Sequence, residues 1–196
     1  MQTLQQNSMT NDIQSLVDKY YPEGTLAREK YIPHVQAVTD AVAKIIQHNP
    51  DLEVDSQLAL NGAYLHDIGI CMTNVESLGC YGTAPYIQHG VLGRDILIKE
   101  GFGQYAMICE RHVGTGLDKD FADANNFPEP HRDMKPETIE EILVCYADSF
   151  FSKSSDDLTK PEPLELIRSK IAKHGEEGMT TFDNWCKQFG TDYLYE

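Results

Sequence analysis

The sequence holds no Cys-x-x-Cys pair, no run of Lys and Arg, and no apolar stretch near the roughly 18 residues a membrane span needs. Its five cysteines, at 71, 80, 109, 145 and 186, are odd in number and suggest neither a disulfide framework nor a zinc knuckle. Cys71, Cys109 and Cys145 sit in apolar stretches and read as small core residues, which points to a reducing cytoplasm. Positive charge is scarce: 16 Lys and Arg face 31 Asp and Glu, for a formal net charge of -15. A surface this acidic repels phosphate backbones, so no nucleic-acid partner is expected. A bound divalent metal would reverse the field locally and still admit a small anion. Met1 to Thr10 is polar and uncharged, without the apolar region of a signal peptide, so a cytoplasmic protein with no membrane partner is expected. A strand series, internal repeats and low-complexity segments are missing too.

What is present is helical periodicity in a chain of 196 residues, 41% hydrophobic, long enough to bury a core. Residues 1–10 are expected to fray and 11–20 to form a short helix ending before Tyr21-Pro22. Thr25 caps a long helix to about 48, with Tyr31, Val35, Val38, Val42, Ile45 and Ile46 recurring at three- and four-residue steps. Asn49-Pro50 stops it. Asp55 or Ser56 caps the next helix, which runs to about Asp67, with an irregular loop over 70–83. Thr83, with Pro85 just inside, opens a third helix to about Glu100, and Gly101 ends it. A short helix follows at 103–112, then a long loop at 113–135. Pro136 starts a helix to about Phe151, and a last helical region covers 162–189 with a break near Gly175. The class is all-α, a compact arrangement of about six to eight helices. The expected divisions are an N-terminal segment at 1–24, a core at 25–155, and a helical extension at 156–196 packed on that core.

His66-Asp67-Ile68-Gly69 closes an apolar helix and puts an imidazole and a carboxylate within reach of one ion. Neighbours on a helix diverge, so the backbone must bend there, and Gly69 permits the bend. A two-residue pair also occurs by chance, and a lone histidine on an apolar face is more often a hydrogen-bonded core residue. The set as a whole changes that weighing. His34 lies on its helix's apolar stripe, one turn from Tyr31 and Val38. His89 follows Pro85 by one turn, His112 is in line with Ile108 and Cys109, and Asp148 falls between Val144 and Phe151. An aspartate on such a face is costly unless paired or metal-bound. Four inward histidines and two inward aspartates from five helices need a common partner, and a shared metal site supplies one.

The ordered set His34, His66-Asp67, His89, His112, Asp148 resembles the HD-domain superfamily of metal-dependent phosphohydrolases, and His-Asp-Ile-Gly is the form of its HDIG subgroup. Glu110 to Gly116 and Tyr146-Ala147-Asp148 are similar to that subgroup as well. The resemblance covers roughly residues 25–155. It implies that His34, His66, Asp67 and Asp148 hold a first ion, and that Asp67, the catalytic residue, bridges to a second completed by His89 and His112. Nitrogen and oxygen ligands together suit two divalent transition ions, iron or manganese ahead of nickel or zinc. A metal-bound hydroxide would then cleave a phosphoester or phosphoanhydride in a small phosphorylated substrate, such as a nucleotide. Lys153 and Arg111 are the substrate-binding candidates, each with an ordinary salt-bridged base as the plain alternative; Arg28 and Arg94 are weaker ones.

Ile70 stands where the cyclic-dinucleotide-degrading HD-GYP branch has Lys, and Gly114-Thr115-Gly116-Leu117 replaces its signature, which argues against that substrate. Two other functions fit the same ligand order: a mixed-valent di-iron oxygenase, and a catalytically silent metal-binding regulatory module. His48, His131 and His174 match no motif position, and His131 reads as a loop histidine. Tyr81 and Tyr86 read as packing residues, with stacking on a nucleobase as the alternative. A homodimer is the default assembly.

Overall fold

The computed structural model describes residues 12–128 and 130–196. The expected fraying of residues 1–10 lies outside the described residues. The described chain is helical apart from turns and one two-residue hairpin, as an all-α reading requires.

Helix α1 covers 12–20. Helix α2, Leu26–His48, is capped by Thr25, whose side chain accepts from the backbone N–H of Arg28. It buries Tyr31, His34, Val35, Val38, Val42 and Ile45 along one stripe. Pro33 lies inside it and removes the N–H that would bond the carbonyl of Glu29, one residue ahead of His34. Helix α3, Ser56–Leu65, is capped by Asp55, which accepts from Leu58 N–H at 3.0 Å.

Helix α3 ends two residues before the expected Asp67. Asp67 itself sits at φ -101, ψ 9, and a 3-10 turn follows over Ile68–Met72. That departure from helical geometry is what lets the adjacent His66 and Asp67 converge. The segment read as irregular loop over 70–83 folds as short 3-10 turns and a hairpin of β1, Asn74–Val75, with β2, Cys80–Tyr81. Thr83 opens no helix. Ala84 pairs back with Met72 and Asn74, and Pro85 is extended at ψ 151, so α4 begins only at His89 and runs to Lys99.

Helix α5 is Ala106–Arg111. The segment 113–135, read as loop, contains a six-residue helix α6, Lys119–Ala124, capped by Asp118. So short an element shows too little periodicity to be read from sequence. Helix α7, Ile139–Asp148, starts at the Thr138 cap rather than at Pro136, and stops short of Phe151. Helices α8, Leu164–Ile171, and α9, Glu176–Phe189, are separated at Gly175, whose φ of 111 only glycine adopts readily.

Two apolar cores form. One joins α2, α3 and α7 to α8 and α9, with Tyr146, Phe150, Phe182, Trp185 and Phe189 as its aromatic centre. The other joins α1 to Tyr31 and Val35 of α2 and to Leu65, Leu97 and Cys109. Along α2 the change from one core to the other falls between Val35 and Ala37, just past His34.

Gly69 is needed for closeness rather than for bending, because its φ lies outside the left-handed region. A Cβ there would stand 2.1 Å from the carbonyl oxygen of His89 and 2.3 Å from the nitrogen of Gly93. Gly93 in turn leaves room for the Cys109 sulfur, 2.2 Å from where its own Cβ would lie. The obstacles at Gly69 are backbone atoms and cannot rotate away. We therefore expect Gly69→Ala to destabilise the protein by about 1–3 kcal/mol, the cost of overpacking. At a roomy site of ordinary φ the same change would instead stabilise by up to about 1 kcal/mol. Urea unfolding of both proteins distinguishes the two signs.

Candidate metal centre

Each imidazole in the cluster reaches it from a different element, and three are aimed the same way. The Nδ1 atoms of His66, His89 and His112 lie 2.6, 2.7 and 2.7 Å from the carbonyl oxygens of Ala63, Tyr86 and Cys109. Each carbonyl belongs to the residue three positions earlier. A carbonyl only accepts, so each Nδ1 carries a proton and each Nε2 is the nitrogen left for a cation, through a lone pair once any second proton has gone. Such a partner fixes both tautomer and ring direction in metal-ligating histidines. The ring of Tyr86 also stacks on His89, with centroids 4.5 Å apart.

Those lone pairs surround one carboxylate. Asp67 Oδ2 lies 3.1 Å from His34 Nε2 and 3.3 Å from His66 Nε2. Asp67 Oδ1 lies 3.4 Å from His89 Nε2 and 3.3 Å from His112 Nε2. Asp148 Oδ1 lies 3.1 Å from His34 and 3.3 Å from His66 on the first side. Two groups result, His34–His66–Asp67–Asp148 and Asp67–His89–His112, with Asp67 common to both. Asp67, His66, His34, His89 and His112 are all at most 2% exposed.

The chemistry of this donor set calls for cations. His34 Nε2, His66 Nε2 and Asp67 Oδ1 are buried without a hydrogen-bond partner among the described residues, and Asp67 Oδ2 has the Lys153 ammonium at 2.8 Å. His89 Nε2 and His112 Nε2 approach to 2.9 Å with both Nδ1 positions already taken by protons, so two lone pairs face each other. Unpaired buried acceptors are expensive, and a shared divalent ion on each side of Asp67 relieves all of them. The six residues therefore fit a metal site.

The electrostatics agree. Burial disfavours a charged His66, but Asp67 and Asp148 outweigh it and raise the imidazole to about 10. Burial lowers His89 to about 3, helped by His112. His112 is lowered by burial as well. Asp67 and Asp148 lie well below the usual carboxylate range: burial opposes ionisation, yet Lys153 and His66 overcome it. The Lys153 ammonium is 2.8 Å from Asp67 Oδ2 and 3.4 Å from Asp148 Oδ1, and these carboxylates hold it charged against burial.

The structure thus gathers all six expected ligands together with Lys153. Arg111 stands apart: its guanidinium pairs with Glu137, just before α7, at 2.9 Å and with Glu141, in the first turn of α7, at 3.0 Å. Arg28 is bonded to Asp18, and Arg94 to Asp95 and Glu110. His131 bonds the Phe127 carbonyl within its own loop, and His48 stacks on Tyr193. The side chain of His174 is not among those described. Tyr81, read as packing, is 75% exposed on β2, at the open end of the hairpin. Sequence reasoning missed Lys30 and the three anchoring carbonyls, although a position three before each histidine is a findable signal.

The HD domain family model matches residues 31–152. The chain is 35% identical over 127 residues to an uncharacterized protein of Methanocaldococcus jannaschii, covering 63% of this chain and 68% of that one. It is 34% identical over 170 residues to a tRNA (cytidine(56)-2'-O)-methyltransferase of Thermoplasma volcanium, covering 83% of this chain and 45% of the relative. A protein of the same description from Picrophilus torridus is 33% identical over 127 residues, 64% of this chain and 33% of its own length. The chain therefore spans less than half of either methyltransferase. No solved structure matches it. Among the described residues no helix is long and apolar enough to cross a membrane.

A divalent ion must displace the proton that His66, at about 10, otherwise keeps. Metal affinity should therefore rise with pH between about 6 and 9, with proton release on uptake. Calorimetric titration with Mn2+ in buffers of different ionisation enthalpy measures both. A flat affinity with no proton exchanged would contradict the ligand assignment.

Proposed function

The chain belongs to the HD-domain family, and from that premise we propose that it is a metal-dependent phosphohydrolase acting on a small phosphorylated substrate. The observation that carries the reading is the division of Asp67, with one carboxylate oxygen facing His34 and His66 and the other facing His89 and His112. A carboxylate placed this way suits a bridge between two ions, iron or manganese by the mixture of nitrogen and oxygen donors.

Ions held there would polarise a phosphoryl oxygen and supply hydroxide near neutral pH. The protein's own contribution is positional. The Nδ1 anchors would hold His66, His89 and His112 in place while charge shifts among the phosphoryl oxygens. Lys153, already drawn to Asp67 and Asp148, is placed to donate to a non-ester phosphoryl oxygen. Burial of the imidazoles behind α2, α4 and α5 keeps bulk water from competing. Methyl transfer is not carried over from the methyltransferase relatives, since buried imidazoles around shared carboxylates are suited to cations. The net charge of -15 also favours a small substrate over a nucleic acid.

Elemental analysis of protein purified without added metal or a metal-affinity tag should find about two transition ions per chain, the stoichiometry of a two-metal site. Asp67→Ala should lose both ions and all phosphoester hydrolysis, because it removes the shared ligand. His89→Ala and His112→Ala should each lose the second ion and keep the first. Lys153→Met should retain both ions and lower kcat by about a hundredfold, the usual scale for one preorganised donor. Oxygen consumption by iron-loaded protein, with no hydrolysis across a phosphoester panel, would replace this reading with an oxygenase. Two bound ions with neither activity would leave a regulatory metal site.

A further inference from the structure

We propose that the substrate carries two phosphate groups, the second held at the mouth of the metal centre by Lys30 and the serine-rich turn that bears Lys153. This deepens the phosphohydrolase reading and rests on it.

A cavity of about 20 Å³ lies against His34 and Asp67. Outside it opens a pocket of about 630 Å³. Lys30, Leu78 and Lys153 line both, so the outer pocket leads to the carboxylate that joins the two ligand groups. The polar residues lining the outer pocket are Lys30, Lys153, Tyr86 and the serines Ser77, Ser152, Ser154 and Ser155, with Asp156 as its one carboxylate. Hydroxyls beside two ammonium groups form a donor-rich surface in a chain otherwise dominated by carboxylates.

The two lysines are in different states. Lys153 is engaged by Asp67 and Asp148. Lys30 is half-buried and pairs with no carboxylate or carbonyl among the described residues, where the other unpaired lysines, 99, 160, 173 and 187, are exposed. With 31 acidic residues in the chain, a partly buried lysine left unpaired at a pocket wall is free to meet an external anion. Its position sets the spacing. Lys30 and His34 are four residues apart on α2, so they share a face and are offset by about 6 Å along the axis. One phosphate at the histidines and Lys153 therefore leaves a second, adjoining phosphate within reach of Lys30 and the serine hydroxyls. A lone phosphate at the metal centre would leave that outer surface unused.

The test is equilibrium binding to metal-loaded protein of three probes: inorganic phosphate, inorganic pyrophosphate and 1,3-propanediol bisphosphate. Metal content is measured in every sample, because pyrophosphate also chelates. At least one of the two-phosphate probes should bind about tenfold or more tighter than phosphate, as one added charge-assisted contact implies. Preference for pyrophosphate indicates an anhydride, and preference for the bisphosphate indicates two separated esters. Lys30→Gln should abolish the preference while leaving phosphate affinity within about twofold, and Lys30→Arg should keep it. Equal binding of all three probes, or a preference that survives in Lys30→Gln, overturns the proposal while leaving the hydrolase reading intact. Failure to take up metal, or to bind phosphate once loaded, overturns both.

Discussion

A carboxylate without solvent contact is the constraint on which this molecule turns. Asp67 is fully buried, and every other feature of the centre answers its charge. Four imidazole nitrogens and one ammonium stand within 3.4 Å of its two oxygens. In an interior of low dielectric, an uncompensated carboxylate would cost more than most domains have in total stability. Helices α2 and α4 carry His34 and His89 to it, and α3 and α5 end at His66 and His112.

That arrangement depends on how closely backbones can approach. Gly69 meets the backbone of His89 and Gly93 directly, and Gly93 meets the Cys109 sulfur, so a single small side chain is all that lies between α4 and α5 there. Cys109 uses its thiol to bond the His66 carbonyl at 2.8 Å and its own carbonyl to orient His112. Two of the ligand histidines are thus joined through a single small residue. The same economy appears at Asp67, whose non-helical backbone lets it converge with the neighbouring His66.

Much of this was legible in the sequence, because the ligands carry both an order and a periodic setting. His34 falls on the stripe that includes Tyr31, Val35 and Val38, so its burial could be read from periodicity; Asp148 interrupts a similar stripe and is only partly buried. Caps at Thr25 and Asp55 were legible for the same local reason. What could not be read were tertiary effects. Gly69 looks like a hinge in one dimension and is a contact in three. Thr83 resembles a cap, but Ala84 is recruited by Met72 and Asn74 across a hairpin. Arg111 sits beside a ligand in sequence, and its guanidinium is taken by Glu137, just before α7, and Glu141, in its first turn. Lys30 drew no notice because its significance lies in what fails to pair with it.

The excursion between α5 and α7 has a neck. Leu117 and Met134 exchange two backbone hydrogen bonds, at 3.1 and 2.7 Å, and close off everything between them, including α6. His112 lies before that neck and Asp148 well after it, so the length and content of the enclosed stretch are mechanically insulated from the ligands. Arg132 still reaches across to Glu110, beside His112, which keeps the enclosed segment folded down against the body. A lineage can therefore enlarge, shorten or replace this segment with little penalty to the metal residues. It is the part of the molecule where descendants sharing one centre would be freest to diverge.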